Sequence, residues 1–211
     1  MADSEAMNGE TDAAVRGERG HGTNRRQNNR REDLLSAAAR LIARRGYEGT
    51  SMRDIAAETG MLPGSLYYHF PSKEALFVAV HAEAVASITR AVDAAIATRT
   101  EPWARLEAAV AAHLQSLLET SGTVAIVSPN FPEGSEALSA QLTGQRDAYE
   151  RKFTSLVEAL DLPDSVDIGL FRLMLLGAIN WTPVWYRPGG RHDPADIARA
   201  FLDILRTRCV R

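Results

Sequence analysis

A single cysteine, Cys209, stands among 211 residues, so no intrachain disulfide can form. A reducing compartment, the cytoplasm, is the plain expectation. No apolar run is read as approaching membrane-spanning length, and no charged-then-apolar leader opens the chain, so no membrane partner is expected. A period of 20 to 50 residues is also missing, which excludes a repeat array. The chemistry of catalysis is equally thin. There is no Ser in a nucleophile elbow, no His pair at metal spacing, no phosphate loop and no paired Cys, and the acids scatter along solvated helix faces. Hence no catalytic residue, metal or cofactor is expected, and the chain does not read as an enzyme.

What is present is a chain with 45% hydrophobic content, ample for a core in one large domain or two small ones. Its net charge of -3 is unevenly spread. Residues 1–24 hold two arginines against five acids, lack hydrophobic periodicity, and read as a disordered tail. Residues 25–76 hold nine bases against six acids, and the remainder thirteen against sixteen. Positive charge is therefore confined to one segment, where contact with phosphate would use it.

That segment is punctuated by helix signals. Leu34, Ala38, Leu41 and Ile42 share a helical face, and Gly46 ends the helix as a residue free to take positive φ. Ser51 and Asp54 form a capping pair for a helix from about Met52 to Thr59, with Ile55 and Ala56 inward. Gly60 and Met61 make the turn. Pro63 fits the first position of a very short helix, Pro63-Gly64-Ser65-Leu66-Tyr67-Tyr68-His69, where its missing N–H costs nothing. A helix this short buries too little apolar surface to hold itself, and its tyrosines and histidine offer donors outward, so a partner is implied. Ser72 then caps a long helix. Two short helices joined by a Gly-containing turn form a helix-turn-helix, whose second member enters the DNA major groove.

The stretch Thr50-Ser51-Met52-Arg53-Asp54-Ile55-Ala56, then Gly60, Gly64 to Phe70, and Ser72-Lys73-Glu74-Ala75-Leu76 resembles the DNA-binding half of the TetR family of bacterial repressors. It covers roughly a quarter of the chain. The resemblance implies an all-α homodimer: a three-helix DNA-binding domain over residues 25–76, and an effector-binding and dimerisation domain over 77–211. It further implies double-stranded operator DNA as partner and release of that DNA when a small effector binds. Pro63, Gly64 and Ser65 are then expected to approach base edges, and Tyr67, Tyr68, His69 and Lys73 to contact phosphate, with Tyr68 also able to reach a base. Ser51 presents its helix N-terminus to the backbone. His69 has no second ligand at metal spacing nearby. Arg25, Arg26, Arg30 and Arg31 read as a basic arm for phosphate or the adjacent minor groove; the alternative is a solvated helix start.

Helices continue to the C-terminus. Leu76, Val80, Ala84, Ile88, Ala91, Val92 and Ala95 make an apolar stripe to about Thr98. Pro102 opens the next helix, Val124–Val127 is a short apolar piece of either type, and Pro132 opens another helix through Leu138, Leu142, Tyr149, Phe153, Leu156 and Leu160. Residues 168–185 are apolar on nearly all sides, so a second contact must cover the outer face, and the family answer is a four-helix bundle between two subunits. Asp193, Pro194 and Asp196 cap the last helix. An apolar effector, with an acyl-coenzyme A thioester favoured, is expected in a cavity lined by Leu106, Val110, Leu142, Tyr149 and Met174, with His113 and Asn180 as candidates to orient it. A hydrogen-bonded core role for His113 is the alternative. Trp181 to Gly190 resembles the same region of family members tied to lipid, steroid and acyl-coenzyme A breakdown; a rigid dimer-edge corner is its other reading. Two rivals from other classes are an architectural DNA-binding protein without an effector and an enzyme with a helical domain.

Overall fold

The computed structural model describes residues 31–119 and 136–209, and among these the chain is all-α. The helices are α1 (31–45), α2 (Met52–Glu58), α3 (Pro63–His69), α4 (Lys73–Ala97), α5 (Pro102–Glu119), α6 (Glu136–Glu158), α7 (Ile168–Trp185) and α8 (Pro194–Cys209). The apolar piece Val124–Val127 and the helix start at Pro132 lie outside the described residues, as do Arg25, Arg26 and Arg30.

Local chemistry sets the boundaries. Gly46 takes φ 74° and closes α1, its N–H bonding to the Ile42 carbonyl at 2.8 Å while the Thr50 hydroxyl caps the Gly46 carbonyl at 2.8 Å. Ser51 and Asp54 form the full reciprocal capping box of α2. At its other end Gly60 (φ 64°) bonds back to Ala57 and Met61 to Ala56, a Schellman close that turns the chain sharply into α3. Pro63 stands at the start of α3. Ser72 caps α4, Asp167 caps α7 and Asp193 caps α8, each by accepting a backbone N–H three residues on.

Three apolar clusters follow. The first joins α1, α2, α3 and the start of α4 around Leu35, Leu41, Ile55, Leu66, Leu76 and Val80. The largest joins the second half of α4 to α5, α6, α7 and α8 around Val92, Leu106, Leu114, Phe153, Leu175 and Ile179. Between them a small cluster packs Ile42 of α1, Phe77 of α4, and Leu138 and Leu142 of α6. Helix α4, about 37 Å long at 1.5 Å per residue, contributes to all three and is the strut of the molecule.

Two helices, α4 and α7, reach the length and mean hydropathy of a membrane span, which corrects the expectation that no run approaches it. The reason is averaging: isolated charges such as Arg172 do not offset the surrounding Leu, Ile and Met. Arg172 is held by Glu150 of α6 at 2.8 Å, and α7 turns Phe171, Leu175, Leu176 and Ile179 into the protein core. Its opposite face leaves Leu170, Leu173, Met174, Trp181 and Val184 more than half exposed. Helix α7 also runs through Pro183 to Trp185, the Tyr186 N–H resuming the ladder on Thr182 at 2.9 Å.

Candidate nucleic-acid interface and effector core

Helix α3 is anchored by Leu66 and closed by Phe70, both buried in the first cluster. Every other position of its seven faces out. Tyr68 is 87% exposed and Tyr67 50%, and Pro63, Gly64, Ser65 and His69 are exposed as well. The structure therefore brings six of the sequence-expected contact residues onto one surface. The tyrosines are not core aromatics. At Gly64 an added Cβ would meet nothing within 4 Å, so neither conformation nor packing inside the chain requires glycine there.

The flanking groups are more tightly engaged. The Ser51 hydroxyl donates to the Asp54 carboxylate at 2.6 Å and accepts from the Asp54 N–H at 3.2 Å, so its side chain is committed to the cap. The hydroxyl's bond, together with the Ser51 N–H donating to the same carboxylate at 2.9 Å, holds the Asp54 carboxyl below the usual carboxylate range, with Arg45 adding to the effect. Lys73 lies with Nζ 4.1 Å from the centre of the Tyr47 ring and 3.9 Å from a Glu48 oxygen. Burial, with Glu74 and Glu48 alongside, pushes the Tyr47 hydroxyl up to about 12. Arg31 stands 5.9 Å over the Phe70 ring, tying the start of α1 to the end of α3.

The junction to the rest of the molecule contains a pair that the sequence analysis missed. His81 of α4 is fully buried, and its Nδ1 donates to the Gln145 side-chain oxygen of α6 at 2.6 Å. Burial lowers its pKa, opposed by the Gln145 bond and assisted by Arg146. A histidine set directly after Val80 in the α4 apolar stripe was the available signal, since a polar group there needs a partner.

Among the expected effector residues, Leu106, Val110 and Tyr149 meet in the largest cluster. His113 is buried beside them and joins three helices: Nδ1 lies 2.8 Å from the Tyr149 hydroxyl and Nε2 3.0 Å from the Asn180 oxygen. The Asn180 oxygen can only accept, so Nε2 carries the proton and Nδ1 accepts from the tyrosine. Burial, only partly offset by Asn180, pushes the imidazole down to about 4, and burial with the Asp93 charge raises Tyr149, so both stay neutral. Leu142 and Met174 depart from the expected lining. Leu142 belongs to the small junction cluster, about two turns from Tyr149 along α6, and Met174 is 56% exposed on the outer face of α7. Trp181 and Trp185 share that outer side, Trp185 also packing edge-on to Phe201 of α8 at 6.4 Å.

The pattern of the bacterial regulatory proteins of the tetR family matches residues 34–80, and that of the tetracyclin repressor-like C-terminal domain matches residues 99–208. The HTH-type transcriptional repressor KstR2 of Rhodococcus jostii (strain RHA1) is 31% identical over 183 residues, covering 83% of this chain and 89% of its own. Among solved structures, AibR in complex with isovaleryl coenzyme A and operator DNA is 26% identical with a TM-score of 0.71, over 83% of this chain and 97% of that one. The regulator PfmR of Thermus thermophilus is 25% identical with a TM-score of 0.71, over 83% and 94%.

Proposed function

The chain belongs to the TetR family of bacterial regulatory proteins, and from that footing we propose that it is a cytoplasmic transcriptional repressor, a dimer released from a palindromic operator by a small apolar effector. The observation that carries this reading is the division within α3, where Leu66 is fully buried while Tyr68 is 87% exposed. A helix held by one apolar anchor and offering small residues at its start and hydroxyls at its end suits the major groove. Pro63, Gly64 and Ser65 approach base edges; Tyr67, Tyr68, His69 and Lys73 engage phosphate, with the α2 N-terminus at Ser51 beside them.

Two copies of α3 on one duplex require a two-fold pair of chains. The outer face of α7 supports this, since Leu170, Leu173, Met174, Trp181 and Val184 form a continuous apolar stripe that water does not solvate well. Because these side chains are exposed in the single chain, Met174→Glu combined with Trp181→Glu leaves the fold intact and abolishes pairing. Sedimentation of wild type as a monomer at micromolar concentration, with full operator affinity, sinks the dimer.

The effector enters the core around Leu106, Val110, Tyr149 and His113, and a coenzyme A thioester is the favoured class, supported by the AibR complex with isovaleryl coenzyme A. A shift there reaches α3 through α4, which the Phe77–Leu142 contact cluster and the His81–Gln145 bond tie to α6. The effector need favour the released state by only about 1–3 kcal/mol to weaken the operator complex several-fold to a hundredfold. Operator must then weaken effector binding by the same factor. Calorimetric titration with and without operator tests this; equal affinities exclude that ligand as inducer.

A further inference from the structure

Where the end of α4, the first turn of α5 and the C-terminal half of α6 meet, the surface opens into a cavity of about 410 Å³. Its volume lies within the range of small-molecule sites, about 300–1,000 Å³. Arg105 of α5 and Arg151 and Lys152 of α6 stand around it, and none of its described lining residues is a carboxylate. The apolar lining is Leu156, part of the largest apolar cluster, and Ile96, which packs against that cluster. Helical spacing puts Lys152, Ser155 and Leu156 on one side of α6, so polar and apolar lining belong to the same surface.

The three cations are unequally used. Lys152 is paired with Asp93 of α4. Arg105 donates to the Arg99 carbonyl at 3.2 Å, which orients the guanidinium without neutralising it, and Arg151 makes no ion pair among the described residues. Two guanidinium groups without an ion pair among the described residues leave the depression positively charged, and their planar forks match phosphate oxygens. A free anion has no use for the Ile96–Leu156 lining, and a hydrocarbon has none for the cations. An amphiphile with a phosphorylated end uses both.

We propose that this groove seats the phosphate-bearing end of the effector, with Arg105 and Arg151 binding the phosphates and the apolar arm passing over Ile96 and Leu156 toward the core. The inference rests on the coenzyme A thioester reading above and adds where that ligand is recognised and by what charge. It also predicts that affinity falls with ionic strength, because the groove is open to solvent.

The test is calorimetric titration of the full chain with free coenzyme A, hexadecanoyl-coenzyme A and hexadecanoyl-pantetheine, which lacks the coenzyme's adenosine and phosphates. The proteins compared are wild type, the double variant Arg105→Gln with Arg151→Gln, and the charge-keeping Arg105→Lys with Arg151→Lys. The expected result is a roughly tenfold to hundredfold loss of free coenzyme A and thioester affinity in the Gln pair, partial recovery in the Lys pair, and no change for the pantetheine ligand. Overlaid melting curves establish that the variants fold. Equal free coenzyme A affinity in wild type and the Gln pair, or no binding to wild type, overturns the site. If thioesters release operator equally from both proteins, the effector class stands and the groove falls. If coenzyme A binds the groove but no thioester releases operator, the groove stands and the effector reading falls.

Discussion

The Tyr149 ring lies nearly parallel to that of His113, 17° apart with centroids at 5.8 Å, and its hydroxyl donates to Nδ1 at 2.8 Å. One neutral imidazole thereby fastens α5 to α6 and, through Asn180, to α7. Tyr149→Phe keeps the ring and strands a buried acceptor. Stability in urea should fall by about 1–3 kcal/mol. An unchanged midpoint would mean that the hydroxyl contributes nothing to the junction.

The same imidazole makes stability depend on pH. In the folded chain it titrates at about 4, against an ordinary 6.5. Above pH 6.5 the group is neutral in both states and has no effect. As pH falls from 6.5 to 4 the unfolded chain takes up the proton that the folded chain refuses, so stability is lost, by about 3 kcal/mol at the lower end. The lowered His81 acts in the same direction. His113→Gln isolates the contribution: its stability should decline less steeply than wild type across this window, and parallel curves would contradict the assignment.

Gly64 separates folding from recognition. Its Cβ position is open, so Gly64→Leu should melt at or slightly above the wild-type temperature, a helical glycine costing about 0.5–1 kcal/mol relative to alanine. Operator binding should nonetheless be lost, because the added side chain meets the base edges first. Retained binding would remove the start of α3 from the interface.

Lys73 has two partners to reconcile. Its contact with the Tyr47 ring predicts a loss of about 0.5–1 kcal/mol of stability in Lys73→Ala. Its phosphate role predicts weaker binding on all sequences alike and a salt slope reduced by about 1. Lower stability with an unchanged slope would leave Lys73 as a strut for the loop before α2.

The sequence spoke most clearly where rules act over a few residues. Ser51 with Asp54, Gly46, Gly60, Pro63 and Ser72 placed the end of α1, both ends of α2 and the starts of α3 and α4, because capping and positive φ are local requirements. Asp193 did the same for the last helix, whereas the Asp167 cap of α7 came to light only in the fold. Packing was legible only in part. Met174 was expected inward because α7 is apolar on nearly all sides, and a helix without a polar face gives periodicity nothing to choose between. Leu142 was correctly expected to be buried, but pattern alone does not say in which cluster. The His113–Tyr149–Asn180 junction spans 36 and 67 residues of chain, a relation that no short-range rule contains. Arg105 and Arg151 stand in no motif, and only the fold sets them around one groove.

Two copies of α3, one from each chain of the proposed pair, read one two-fold symmetric site. Selection of duplexes retained by the purified full chain from a random-sequence pool tests it most directly. An inverted repeat should be enriched, bound with an even number of chains per duplex, and that enrichment should be lost in Gly64→Leu. Retention of the pool without sequence preference, or of an asymmetric site by a single chain, would contradict the two-fold reading.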